Sequence, residues 1–215
     1  MRARMGARVR KTYDIAAAAY LAQFRDELNG KPRDRELLDR FAASVNDGGI
    51  VWEVGCGPGH VGEYLRQRGV AVHGVDISVE SLRQGKACYR DVSWVQSDML
   101  ALSAAPESLT GILAFYAICH LLPSELNAAF SEMHRTLRAG GLALISFHIG
   151  EETRHVDEFL GEQADIDFQF FRVDVVVAAL REAGFADVEP IEREPYADVE
   201  HPSRRAYIFA RKGAA

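Results

Sequence analysis

Cysteine is scarce in this chain and never falls in C-x-x-C spacing. Cys56, Cys88 and Cys119 are scattered and odd in number, which excludes a zinc ribbon and a disulfide framework. Unpaired thiols favour a reducing, cytoplasmic setting. No apolar run approaches the roughly 18 residues that a membrane-crossing helix needs, so no membrane span is expected. The first residues, MRARMGARVRK, are basic but lack the apolar core of a secretory signal; a frayed arm is expected there. A net charge of −6 leaves no electrostatic footprint for nucleic acid. Internal repeats and low-complexity tracts are absent, and no residue cluster points to a metal.

What the chain does contain is the run IVWEVGCGPG at 50–59. A short apolar strand holding one acid, Glu53, ends in Gly55, Gly57 and Gly59. A buried strand that stops in a glycine-dense turn brings bare backbone close to a ligand.

Strand and helix signals alternate around it. Tyr13, Ala17, Tyr20, Phe24 and Leu28 form one apolar stripe, predicting a helix over 9–29 that Gly30-Lys31-Pro32 ends. A second helix is expected over 33–46. Strands are expected at 50–54, 70–75, 92–96, 111–116 and 141–147, with helices at 60–67, 78–89 and 123–137, the last stopped by Gly140-Gly141. A helix over 173–183 precedes strands at 186–193 and 204–211, which Pro190, Pro195 and Pro202 should make irregular. The pattern predicts an α/β fold: a Rossmann-like, seven-stranded, mostly parallel sheet with one antiparallel strand and helices on both faces. One domain is expected over 1–215. Residues 1–46 form an N-terminal helical cap, 47–149 and 172–212 the core, and 150–171 a lid-like insertion leaving the ligand edge of the sheet.

Two further acids end strands in order. Asp76, closing VHGVD, could accept from ribose hydroxyls or, with Ser78, simply cap the next helix. Asp98, in QSDML, could accept from an adenine amino group, with Met99 against the ring, or be an ordinary turn aspartate. The glycine spacing is G-C-G-P-G, not the G-x-G-x-x-G that admits a dinucleotide pyrophosphate. A carboxylate at Glu53 suits a ligand with a cationic end.

These features together resemble the class I S-adenosylmethionine-dependent methyltransferases of the small-molecule, methyltransferase-11-like type. Glu53, Gly55, Gly57 and Gly59 match the first motif, Asp76 the ribose-binding acid, and Asp98-Met99 the adenine-contacting pair. ILAFYAICHLLP, LRAGGLALISF and Ala183-Gly184-Phe185 match later segments. Gly111 stands where the family usually has an acid, and Ala139 where it has proline. The resemblance implies S-adenosyl-L-methionine as cofactor and S-adenosyl-L-homocysteine as product. It implies cofactor contacts from Tyr13, Tyr20, Glu53, Gly55, Cys56, Gly57, Gly59, Asp76, Ile77, Ser78, Ser97, Asp98, Met99, Phe115 and Tyr116. It further implies in-line methyl transfer to a small molecule, by a monomer or homodimer without nucleic-acid or membrane partners.

Candidates for proton transfer are His120 and His148, just past the fourth and fifth strands; each could equally be structural. His155 and Arg172 are candidates for acceptor contact, Arg172 alternatively pairing with nearby acids. His134 and His201 are expected outside the site. Cys56 reads as a small filler, and Cys88 and Cys119 as packed residues. The competing readings are a nicotinamide-dependent oxidoreductase and a non-catalytic S-adenosylmethionine-binding protein.

Overall fold

A computed structural model describes the backbone of residues 2–214 and side chains from residue 6. Helix α1 (Arg2–Phe24) is followed by a 3-10 turn at Glu27–Gly30 and α2 (Pro32–Val45). The core then runs β1 (Ile50–Val54), α3 (His60–Arg66), β2 (Ala71–Asp76), α4 (Val79–Cys88), β3 (Ser93–Gln96) and β4 (Leu109–Phe115). Next come α5 (Leu126–Thr136), β5 (Leu137–His148), β6 (Thr153–Phe159), β7 (Glu162–Gln169), α6 (Val173–Glu182), β8 (Phe185–Arg193) and β9 (Arg205–Lys212).

Seven strands form one sheet in the order β3-β2-β1-β4-β5-β9-β8, while β6 and β7 pair separately as a hairpin. Strands β1 to β5 are parallel; β9 runs antiparallel to both β5 and β8. Strand residues alternate between two apolar layers. Trp52, Val54 and Ile112 meet Phe130 and Met133 of α5 and Val176 and Leu180 of α6. Val51 and Leu113 meet Leu38 and Phe41 of α2 and Val61 and Leu65 of α3. No helix among the described residues is long and apolar enough to cross a membrane.

Four expectations are corrected. The basic arm is helical from Arg2 onward, because its alanine- and arginine-rich sequence favours helix and joins the stripe behind it. That helix stops at Phe24, short of Leu28, which lies in the 3-10 turn. Gly140-Gly141 does not stop α5; the helix ends at Thr136, and both glycines lie inside β5. There Gly140 takes a left-handed φ of 73°, and the register shifts as Leu109 pairs Leu137 but Gly111 pairs Leu142. β9 is uninterrupted, and β8 carries a bulge between Ala186 and Glu189. Pro190 is tolerated because β8 is the sheet edge, where a missing N–H costs no ladder bond.

Candidate active site

β1 and β4 lie side by side where the strand order reverses, and their carboxyl ends open the crevice at which such sheets take ligands. Two cavities meet there. The larger, about 920 Å³, is lined by Gly55, Gly57, Asp76, Ile77, Ser97, Asp98, Met99, Phe115, Tyr116 and His120, and by Gly6, Arg10, Tyr13 and Tyr20 of α1. The smaller, about 470 Å³, is lined by Glu53, Cys56, Lys31, His148, Arg154, Phe159, Phe168, Phe170, His201 and Arg205. Tyr13, Tyr20, Gly55, Phe115 and Tyr116 line both.

The glycine turn is tied to the end of β2. The N–H groups of Gly55 and Cys56 both donate to the Val75 carbonyl, at 2.8 and 3.1 Å. Gly57 N–H donates to Asp76 Oδ2 at 2.8 Å, and Ser78 N–H to Asp76 Oδ1 at 2.8 Å. Asp76 therefore anchors the turn and the start of α4, yet each oxygen keeps a second lone pair. Burial pushes its carboxyl pKa up, against the pull of those N–H donors. Gly57 has a φ of 53°, and a Cβ there would project toward the Tyr20 ring at 3.7 Å.

Gly59 and Ser78 line neither cavity. A Cβ on Gly59, Gly74 or Gly85 would overlap the Trp94 ring, so these glycines form a slot for one indole. Ser78 caps α4, accepting from Ser81 N–H at 3.0 Å, and donates to Asp14 of α1 at 2.7 Å. Asp98 accepts from Leu100 N–H at 2.9 Å and so forms a local turn while also facing the larger cavity. Cys56 is buried with its thiol bonded to Gly57 O, and burial pushes its pKa up. Cys119 is buried as expected, but Cys88 is exposed at the end of α4.

Glu53 points to the α3 side of the sheet, beneath Gly62, where any side chain would collide with its carboxyl. It is 2% exposed, and Oε2 has no partner among the described residues. Burial pushes its pKa up to about 8, with the Asp76 and Glu27 charges adding to the rise. The carboxyl is therefore neutral near pH 7, not the standing carboxylate that its position before the glycines suggests.

His120 sits in the 3-10 turn after β4, half-buried against the hairpin. Its Nδ1 lies 3.1 Å from the Asp167 carbonyl and its Nε2 2.8 Å from Tyr13 Oη. A carbonyl only accepts, so Nδ1 carries the proton and Nε2 accepts from the phenol. Burial lowers the His120 pKa to about 4 and raises that of Tyr13 well above its ordinary value, so both are neutral.

Tyr116, just past β4, holds a left-handed φ of 54° that is costly for a tyrosine. Its N–H donates to Ser146 Oγ at 2.9 Å, and its hydroxyl donates to Tyr207, 2.8 Å away. Tyr207 donates in turn to the buried Asp34 at 2.6 Å. That chain of bonds fixes the ring shared by the two cavities.

His148 lines the smaller cavity with Nδ1 2.8 Å from Ser203 Oγ; burial, then Arg205 and His201, lower its pKa to about 3. His201 belongs to the same wall, against expectation, because the loop before β9 folds back over the end of β5. His134 does pack elsewhere, against Phe185. His155 and Arg172 line neither cavity. His155 is on the outer face of the hairpin between Asp157 and Asp167, at 3.1 and 2.7 Å. Arg172 is exposed and paired with Asp174 and Glu151.

Sequence reasoning missed Lys31, Arg154, Ser203 and Arg205, which carried no motif. Gly6, Ala7, Val9 and Arg10 also line the larger cavity, where the basic composition of that stretch gives no hint of a wall.

Residues 51–141 match a family model described as a methyltransferase domain. An uncharacterised methyltransferase of Geobacillus thermodenitrificans is 27% identical over 207 residues, covering 94% of this chain and 84% of the relative. The trans-aconitate 2-methyltransferase of an Azoarcus species is 34% identical over 125 residues, 57% of this chain and 47% of that one. Among solved structures, a SAM-dependent methyltransferase from Methanosarcina mazei superposes with a TM-score of 0.71 at 15% identity, over 80% of this chain and 96% of that one, a likeness of fold. With its ordered motifs and sheet order, the chain carries a methyltransferase domain and has the fold of S-adenosylmethionine-dependent methyltransferases.

Proposed function

We propose that the larger cavity holds the methyl donor and the smaller one a small-molecule acceptor, with transfer across their shared wall. The observation that carries this reading is the pair of cavities meeting at Tyr13, Tyr20, Gly55, Phe115 and Tyr116. The larger cavity fits the donor: Asp76 keeps lone pairs for ribose hydroxyls, Gly57 leaves its side of the turn bare, and Ile77 and Met99 offer apolar faces. When bound, S-adenosylmethionine supplies a methyl group already activated on a sulfonium.

The chain's own task is alignment and the exclusion of water, which together can supply about 7–11 kcal/mol of barrier lowering. Both ring nitrogens of His120 are engaged, so it orients Tyr13 and leaves no lone pair for a substrate proton. Tyr13 keeps its proton and acts as a wall and a donor to His120. α1 works as a cap and β6–β7 as a lid, bridged by the Arg8–Asp165 pair, within one domain over 1–215. Unpaired Cys56, Cys88 and Cys119 support action in the cytoplasm.

Calorimetric titration with S-adenosylhomocysteine and with NADH tests the donor assignment. Binding of S-adenosylhomocysteine alone is expected; binding of NADH alone would sink it. Two relatives with named acceptors, a trans-aconitate 2-methyltransferase and a malonyl-[acyl-carrier protein] O-methyltransferase, differ from one another in acceptor. The acceptor of this chain is therefore argued from its own smaller cavity.

A further inference from the structure

The polar end of the smaller cavity has a determined pattern of protons. Arg154 can only donate, so its Nη1, 2.6 Å from His201 Nε2, fixes the His201 proton on Nδ1, which faces Ser203 Oγ at 3.3 Å. Arg205 Nη1 also donates to Ser203 Oγ, at 2.8 Å. With both of its accepting directions used, Ser203 has one proton to give, and His148 Nδ1 lies 2.8 Å away to take it. His148 therefore carries its own proton on Nε2, which has no protein partner among the described residues.

Arg205 is 2% exposed, and its Nε–H is buried without an acceptor among the described residues. An orphaned donor on a buried guanidinium costs free energy unless something fills the place. The Arg205 guanidinium lies 5.9 Å, Lys31 Nζ 5.8 Å and the His148 ring 5.3 Å from the Tyr116 ring centre. Donors thus gather around one ring; Ser203 Oγ and Glu200 Oε2 each meet two of these groups, yet Arg205 Nε–H and His148 Nε2–H meet no protein acceptor among the described residues.

Charge points the same way. Lys31 pairs with Glu27 and Glu200, Arg193 with Asp34 and Glu200, and Arg205 with Glu200. Those three cations and three carboxylates balance. Arg154 meets His201 and has no carboxylate within 4.0 Å among the described residues, so it leaves one positive charge over. Glu53 is the remaining acid on the wall, and its burial keeps it neutral near pH 7. Phe170 stacks beside His148 and His201 at this end, and away from it Phe159 and Phe168 with Tyr13 and Tyr20 form an aromatic enclosure.

We propose that the smaller cavity binds a small aromatic carboxylic acid, its carboxylate on Arg205 Nε–H and His148 Nε2–H beneath Arg154. The ring lies among the phenylalanines, and the methyl-accepting atom is turned toward Tyr13 and Tyr20. This rests on the methyl-transfer reading above, and the test separates the two.

The probes are benzoate, benzamide and benzylamine, titrated calorimetrically into the full chain saturated with S-adenosylhomocysteine. Benzoate is expected to bind about 10-fold or more tighter than benzamide, as a charge-assisted pair implies, and benzylamine weakest. Arg205→Met, and the less buried Arg154→Met should Arg205→Met fail to fold, should shrink that preference, as should His148→Leu. A benzoate affinity no better than that of benzamide, whether both bind or neither does, overturns the proposal. So does tighter binding of benzylamine, or a preference undiminished in folded Arg154→Met and His148→Leu. Because S-adenosylhomocysteine affinity is measured first on the same samples, its loss strikes the donor reading, and its retention with no benzoate preference strikes only the acceptor proposal.

Discussion

Tyr13 donates to His120 across 2.8 Å, and this bond joins the N-terminal helix to the turn that ends β4, 107 positions further along the chain. His120 then reaches the hairpin through the Asp167 carbonyl. Three segments that enclose the cavities are thereby fixed by one imidazole. Tyr13→Phe should keep the fold, because the ring still packs on Tyr20 and Phe159. It should cost about 1 kcal/mol of stability. S-adenosylhomocysteine affinity should fall several-fold, with faster proteolysis within α1. Wild-type affinity and protection together would separate helix docking from donor binding.

Asp76 holds Gly57 N–H and Ser78 N–H, so removing it affects both turn and ligand. Asp76→Asn preserves the shape and one acceptor, while Asp76→Ala preserves neither. With charge-assisted bonds at about 1.5–3 kcal/mol each, calorimetry should show affinity for S-adenosylhomocysteine falling about 10-fold in Asp76→Asn and 100-fold or more in Asp76→Ala. Equal affinity in all three proteins would assign Asp76 to the turn alone.

Gly57 and Gly59 should fail differently. Both have left-handed φ, which costs an alanine about 1–2 kcal/mol. A Cβ on Gly57 meets little of the protein and faces the larger cavity, whereas one on Gly59 overlaps Trp94. Gly57→Ala should mainly weaken binding. Gly59→Ala should lose a further 1–3 kcal/mol or so to overpacking and show a clearly lower melting temperature. The same melting temperature for both variants would contradict the Trp94 slot.

The buried acid and the half-buried imidazoles set opposite pH dependences. Glu53 titrates near 8 in the fold against about 4.5 when unfolded. The folded state holds the extra proton, so this stability is full below pH 4.5 and lost as pH rises through 8. His120 and His148 are shifted down, to about 4 and about 3. Their contribution is present above pH 6.5 and lost as pH falls through those values. Glu53→Gln should therefore lose less melting temperature than wild type between pH 6.5 and 9. Parallel curves for the two proteins would show that Glu53 is not held neutral.

Most of the sheet was legible in the sequence because β1, β2 and β4 are short apolar runs, with Gly48-Gly49 before β1 and Gly69 before β2, and the helices between them carry apolar stripes. The larger cavity was legible for a related reason: Gly57, Asp76 and Asp98 lie at strand ends, and position along the chain there translates directly into position at the crevice. Gly59 and Ser78 show where that translation fails. Both lie within the motifs but serve Trp94 and α4 instead. The smaller cavity was hardly legible. Arg205 opens a strand, His201 and Ser203 sit in an unremarkable loop, and Lys31 follows a helix-breaking glycine. They meet only because β9 returns beside β5, a long-range pairing with no local signature. Arg172 and His155 misled because charge in a suspected lid says nothing about which face it occupies.

The smaller cavity draws its polar end from Lys31, His148, Arg154, His201 and Arg205, all outside residues 51–141, the span that matches the methyltransferase domain. On the assignment proposed above, the polar groups that would select the acceptor are written outside the stretch that carries the glycine turn, Asp76 and Asp98. Exchange of the hairpin and the loop before β9 should redirect such an enzyme to a new acceptor while leaving donor affinity intact, which makes this scaffold suited to transplantation of specificity by segment.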